Sequence, residues 1–265
     1  MLFFRGFLLL MLAIHRSVSG EETWNKPFQM SGLKDQKFEW THARITEHLE
    51  HQWNKRSEGP HCENTKVWPY CLSAAGLGMM LTDHTLGTNA HWLYPQWVED
   101  IFMKRFMEFG PGGEIKNAPV YFDPIENYVH RQVPLWNLGT AFYMLPQNRE
   151  VALTLYERAV ASVFFNKAYA PVMPLRKEQV RNYTLAYLLA LEFGDHTTAH
   201  RMQNTLKKRS EPQWFGDDED EFGYFFDYGE PWPRGQESAL LMVAEFMKEG
   251  AWSDAFNLSG RERFA

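Results

Sequence analysis

His61-Cys62-Glu63-Asn64-Thr65-Lys66-Val67-Trp68-Pro69-Tyr70-Cys71 holds both cysteines of the chain and runs into Leu72-Ser73-Ala74-Ala75-Gly76-Leu77-Gly78. Pro69 suits the first turn of a helix, and the small residues after it give that helix a face that a neighbour can approach closely. The pattern predicts a helix from about Pro69 to Thr82, with Cys71 near its start and Cys62 in the loop before it. A thiol is a modest acid whose reactivity is set by its surroundings. Two thiols at the mouth of an apolar pocket, beside Glu63 and His61, can trade protons with a substrate that offers few polar handles.

Working outward, Ile45, Leu49 and Trp53 recur at four-residue spacing and predict a helix from Phe38. Thr41 is a start signal there, and Ser57-Glu58-Gly59-Pro60 a stop. On the other side, Trp97, Ile101, Phe102, Phe106 and Phe109 form a stripe on a helix over 91–109, closed by Gly110-Pro111-Gly112-Gly113. Further helices are predicted over 135–145, 150–165, 178–193, 196–208 and 237–249. Two long excursions interrupt them, 114–133, with alternation at Val120-Tyr121-Phe122, and the acidic-aromatic stretch 210–235. Helices joined mainly by short breaks give an all-α class of antiparallel helix pairs. An α/α toroid of such pairs would bring the cysteine loop and both excursions around one central pocket.

Residues 1–20 read as a signal peptide, with Arg5 as its positive end, Gly6 to Ile14 as the apolar core and Ser17-Val18-Ser19-Gly20 as the cleavage site. An uncleaved membrane anchor is the alternative reading of the same segment. Residues 21–265 then form one domain. The sequons Asn182-Tyr183-Thr184 and Asn257-Leu258-Ser259 fit a glycoprotein that is secreted or held in the secretory-pathway lumen. In an oxidising compartment the two cysteines can close a disulfide, and both states remain open at this point. A net charge of −6 without a Lys/Arg cluster argues against nucleic acid. Aromatic residues at 15% serve either a large-residue core or a pocket for an apolar or sugar-like ligand.

Other chemistries were weighed against this. Asp217-Asp218-Glu219-Asp220-Glu221 departs from a calcium loop, and the histidines lack zinc spacing, so no metal is expected. Asp123, Glu126 and Asp227 offer carboxylates for a carbohydrate-active α/α barrel. Tyr121, Tyr128 and His130 offer proton donors. Trp232-Pro233-Arg234-Gly235 makes a rigid turn before the last helix, with Arg234 able to hold a carboxylate.

Cys62-Glu63-Asn64, then an aromatic residue and Cys71, then Gly76-Leu77 and Asp83, resembles the linalool dehydratase/isomerase family. Phe38-Glu39-Trp40-Thr41-His42 and Pro233-Arg234-Gly235 are similar to it as well, so that the likeness spans roughly residues 27–250. The resemblance implies an (α/α)6 barrel, here shortened or incomplete because the chain counts fewer helices than a closed toroid needs. It implies cofactor-free dehydration and isomerisation of a monoterpene-like allylic alcohol, that is, lyase and isomerase chemistry on a small apolar alcohol or terpenoid. Cys62 and Cys71 inherit proton-transfer roles, and Tyr128 corresponds to a pocket tyrosine. Trp68, Glu63, Tyr121, His130 and Trp232 are the candidate substrate-binding residues. The family's upstream catalytic groups have no evident counterpart. A non-catalytic relative that binds an apolar ligand or assembles with another subunit, a homo-oligomer included, is the competing reading.

Overall fold

The computed structural model describes residues 1–132, 137–162, 177–209, 212–215, 221–224 and 235–258. These fall into two compact units, one of residues 1–132, 143–149 and 256–265, the other of residues 133–142 and 150–255.

The first unit is built on two helices that are apolar for different reasons. Helix α1 (Leu2–Ser19) ends at Gly20, whose φ of 71° lets the chain leave in the left-handed conformation. Helix α2 (His42–Asn54) starts at Thr41, whose side-chain oxygen accepts the Arg44 N–H at 3.1 Å. Helix α3 (Pro69–Leu86) begins with proline in its first turn and is buried on nearly every face. Such an all-round apolar helix must be a central element.

The partner of its small-residue face is α1. An added Cβ on Gly78 would lie 2.9 Å from the Leu10 nitrogen, and one on Gly6 would meet the Ala75 Cβ at 3.0 Å. Leu2, Leu9, Leu10 and Leu12 are buried along this seam, each contributing roughly 1.5–3 kcal/mol relative to exposure. Arg16, at the end of α1, is itself buried and binds the Thr85 carbonyl and the Glu22 carboxylate. The segment read as a targeting sequence therefore packs as a wall of the unit. Its mean hydropathy of 1.4 over 18 residues is also enough, by length and composition, to cross a membrane.

The expectation of an all-α protein is corrected. Helices dominate, but among the described residues three small antiparallel sheets accompany them. Strands β1 (Phe28–Ser31) and β2 (Lys37–Trp40) form a hairpin, with Phe28 opposite Trp40. Its turn places Lys34 and Asp35 both at positive φ, the twist-matched turn geometry of short hairpins. The helix predicted from Phe38 thus starts after Thr41. The stripe expected as one helix over 91–109 divides into a short helix α4 (Leu93–Trp97), a π-helix (Val98–Phe106) and strand β3 (Glu108–Phe109). Strand β3 pairs with β4 (Ile115–Asp123), and β4 with β5 (Tyr128–Gln132). The excursion 114–133 is this β4–β5 hairpin, turned by Asn127 at φ 47°.

The second unit holds the αα-hairpin that the sequence led one to expect. After α5 (Leu138–Met144) and α6 (Arg149–Ala161), helices α7 (Lys177–Phe193) and α8 (His196–Arg209) are joined through Gly194 and Asp195. Asp195 accepts the Thr198 N–H at 3.0 Å and the Tyr156 hydroxyl at 2.8 Å. Strands β6 (Pro212–Phe215) and β7 (Glu221–Tyr224) form the third sheet, within the stretch expected to be a loop. Helices α9 (Gly235–Phe246) and α10 (Ala251–Ala255) follow. The buried Glu192 carboxylate receives the Trp252 and Ser253 N–H groups at the start of α10. The sequon residue Asn182 is buried in α7, which takes it out of reach of glycosylation in the folded chain, whereas Asn257 is exposed.

Candidate active site

The loop before α3 is held by backbone bonds before any side chain is considered. Cys62 N–H donates to the Lys66 carbonyl at 2.8 Å around the 3-10 turn Glu63–Thr65. Val67 exchanges both its backbone bonds with Phe122 of β4, each at 2.8 Å. The Lys66 ammonium adds an ion pair to Asp123 on the same strand. Trp68 then stands immediately before α3, and Cys71 falls in the first turn of that helix.

This clamping sets the two thiols against each other. Cys62 Sγ lies 3.3 Å from Cys71 Sγ and 2.6 Å from Glu63 Oε2, and both cysteines are buried and reduced. An ionised carboxylate only accepts, so the Cys62 proton points to Glu63 and the Cys71 proton to the Cys62 sulfur. A helix N-terminus ordinarily favours a thiolate. At Cys71 the opposite holds: the bond to Cys62, then burial, then the electrostatic influence of the neighbouring Cys62 and Glu63 push this thiol far above its ordinary value. Cys71 is the protonated end of the pair.

Aromatic rings surround it. Phe7, Tyr70 and Tyr143 pack mutually, with centroids 5.4–5.7 Å apart. Burial, followed by Tyr70 and the nearby Cys71, raises the Tyr143 phenol well above its ordinary value and keeps it a neutral donor. Sequence reasoning did not reach these three residues. Tyr70 stood inside the quoted motif, Phe7 was hidden in the segment read as a leader, and no spacing pointed to Tyr143.

The other expected residues are distributed as follows. Trp68, Tyr121 and His130 form a second stack, with centroids 5.1 and 4.9 Å apart, because Tyr121 and His130 face each other across the β4–β5 ladder. The Trp68 Nε1 is buried and has no hydrogen-bond partner among the described residues. Tyr128 stands at the start of β5, 55% exposed, beside His130. Trp232, Arg234 and Asp227 lie outside the described residues. Asp123 is engaged by Lys66 and by the Ile125 and Glu126 N–H groups, while Glu126 is exposed on the turn. Asp123 is thus committed to the turn and to its ion pair.

The family model for linalool dehydratase/isomerase matches residues 2–217. The chain belongs to that family. The match takes in α1, the cysteine loop, α3 and the β4–β5 hairpin, and so reaches further toward the N-terminus than the motif alone suggested. No individual curated protein matches the chain.

Proposed function

We propose that this chain dehydrates and isomerises a monoterpene-like allylic alcohol by cofactor-free acid/base chemistry, and that its helix pairs are part of an α/α toroid. Membership of the linalool dehydratase/isomerase family supports a terpenoid alcohol substrate. The observation that carries the reading is the polarised chain Cys71 thiol, Cys62 thiol, Glu63 carboxylate, buried among aromatic rings. Cys71 delivers a proton to the substrate hydroxyl, the C–O bond breaks, and water departs. Cys62, its own proton drawn onto Glu63, takes a proton from the carbon next to the allylic cation, giving the diene. Return of water at the other allylic carbon gives the isomeric alcohol. Phe7, Tyr70 and Tyr143 offer ring faces to the developing cation, and the Trp68 N–H offers an anchor for the hydroxyl.

The test is a headspace assay of the purified, reduced protein with linalool, geraniol and myrcene. Interconversion is expected, with Cys62→Ala and Cys71→Ala each losing ~10²–10⁴-fold in turnover while retaining the fold. Absence of products from folded, reduced protein, or parental turnover in both variants, would sink the reading.

A further inference from the structure

Gln147 stands in the turn after α5, within the segment 143–149 that belongs to the first unit. Its Nε2 donates to the Ser73 carbonyl at 2.9 Å and to the Tyr143 carbonyl at 2.7 Å, and its Oε1 lies 3.1 Å from His91 Nε2. An amide has two N–H donors and a carbonyl oxygen that only accepts. Both donors are spent, the His91 ring donates to Oε1, and the side chain is held in one orientation.

The segments that meet on Gln147 are fixed on their own account. Ser73 lies two residues after Cys71 in α3, and its hydroxyl accepts that of Tyr94 at 2.8 Å. The His91 N–H donates to the Asp83 carboxylate at 2.8 Å, and the His91 ring stacks on Tyr94. Gly76 makes the room, because a Cβ there would lie 2.7 Å from Gln147 Oε1 and 2.6 Å from the Tyr94 ring. Gly76 and Asp83, two residues of the motif around the cysteines, thus build the seat of Gln147.

What that seat holds in place is Tyr143. Its ring packs on Tyr70, the residue before Cys71, with centroids 5.4 Å apart, and its phenol is hydrogen-bonded with that of Tyr70. Burial keeps the phenol protonated. Tyr143 can therefore do what Phe7, the third ring of the cluster, cannot, which is to give a hydrogen bond to an alcohol oxygen. A ring face tolerates small displacements, whereas a reacting group has to be held within about 0.5 Å. Two bonds from one amide, joining the Tyr143 main chain to α3, supply that precision.

We propose that the Tyr143 hydroxyl holds the oxygen of the substrate alcohol beside Cys71, and that Gln147 is the positioning residue that fixes it there. The inference rests on the alcohol chemistry proposed above and adds the group that orients the departing oxygen.

Tetrahydrolinalool keeps the tertiary hydroxyl of linalool but has no double bond, so it reports contact with the oxygen without turnover. Headspace partitioning over the purified full chain is expected to show saturable binding. Tyr143→Phe should weaken this alcohol by roughly three- to tenfold and leave the hydrocarbon 2,6-dimethyloctane unchanged. Gln147→Met should do the same, and Gln147→Glu, which keeps the bond from His91 but loses both amide donors, serves if that variant does not fold. Combined with Tyr143→Phe, either Gln147 variant should add no further loss, since both remove one contact. A Gln147 that serves the fold alone would add its own. The kcat for linalool should fall in step. Cysteine-dependent turnover with parental kcat and alcohol binding in Tyr143→Phe overturns the inference and leaves the thiol chemistry standing. Alcohol binding that needs Tyr143, without turnover, supports the contact and counts against the thiol chemistry. No alcohol binding, equal losses for alcohol and hydrocarbon, or additive losses in the double variant overturn the inference.

Discussion

The Glu63 carboxylate approaches the Cys62 sulfur to 2.6 Å on one side, and Cys71 approaches it to 3.3 Å on the other. Cys62 is therefore the middle member of a three-residue hydrogen-bonded chain, and its direction is set by the one group that can only accept. Glu63→Gln replaces that acceptor with an amide of nearly the same shape. Turnover is expected to fall by roughly 10²-fold or more, with an unchanged near-UV circular dichroism spectrum. Parental turnover in this variant would show that Glu63 has no part in the relay.

Gly78 tests the α1–α3 seam. A methyl group there meets the Leu10 backbone at 2.9 Å, and backbone cannot swing aside as a side-chain tip can. Gly78→Ala is expected to destabilise the protein by about 1–3 kcal/mol in urea unfolding. A variant as stable as the parent would mean that α1 does not pack in this way in solution.

His42 predicts how stability changes with pH. It is buried, with Nε2 2.9 Å from Thr82 Oγ1, and that hydroxyl donates onward to the Gly78 carbonyl. Burial, then the Arg16 guanidinium, hold its pKa at about 4, below the ordinary 6.5. Between those values the unfolded chain binds a proton that the folded chain refuses, so stability falls as pH drops from about 6.5 toward 4. The loss from this group is up to ~3 kcal/mol. Urea melts across that range should show it, and His42→Gln should flatten the slope. A slope unchanged by the substitution would assign the effect elsewhere.

Deletion of residues 1–20 removes the partner of the small-residue face of α3. The truncated chain is expected to be insoluble or to lose its near-UV signal. If it folds cooperatively with parental stability, α1 is dispensable to the domain.

Local signals in the sequence were read correctly where chemistry is local. Thr41 caps its helix, Pro69 opens α3, and the nine-residue separation of the cysteines reappears as a thiol contact. The strands were harder to read because they are short hairpins whose turns are unusual. Lys34 and Asp35 adopt positive φ without the Asn-Gly signature of such turns, and Pro119 interrupts the alternation of β4 at a bulge. The apolar run of α1, with Arg5 near its start, satisfies two different physical demands at once. Its tertiary contacts, with Gly78 and Ala75 among them, are what distinguish a core helix from a leader.

That dual character matters while the chain is being made. Helix α1 leaves the ribosome ahead of the helix that covers it, which begins roughly 50 residues later, several seconds away at typical elongation speeds of ~5–20 residues per second. Throughout that interval its leucines face solvent, as those of a nascent export sequence do. Closure of the α1–α3 seam therefore waits on synthesis of the whole segment between Gly20 and Pro69.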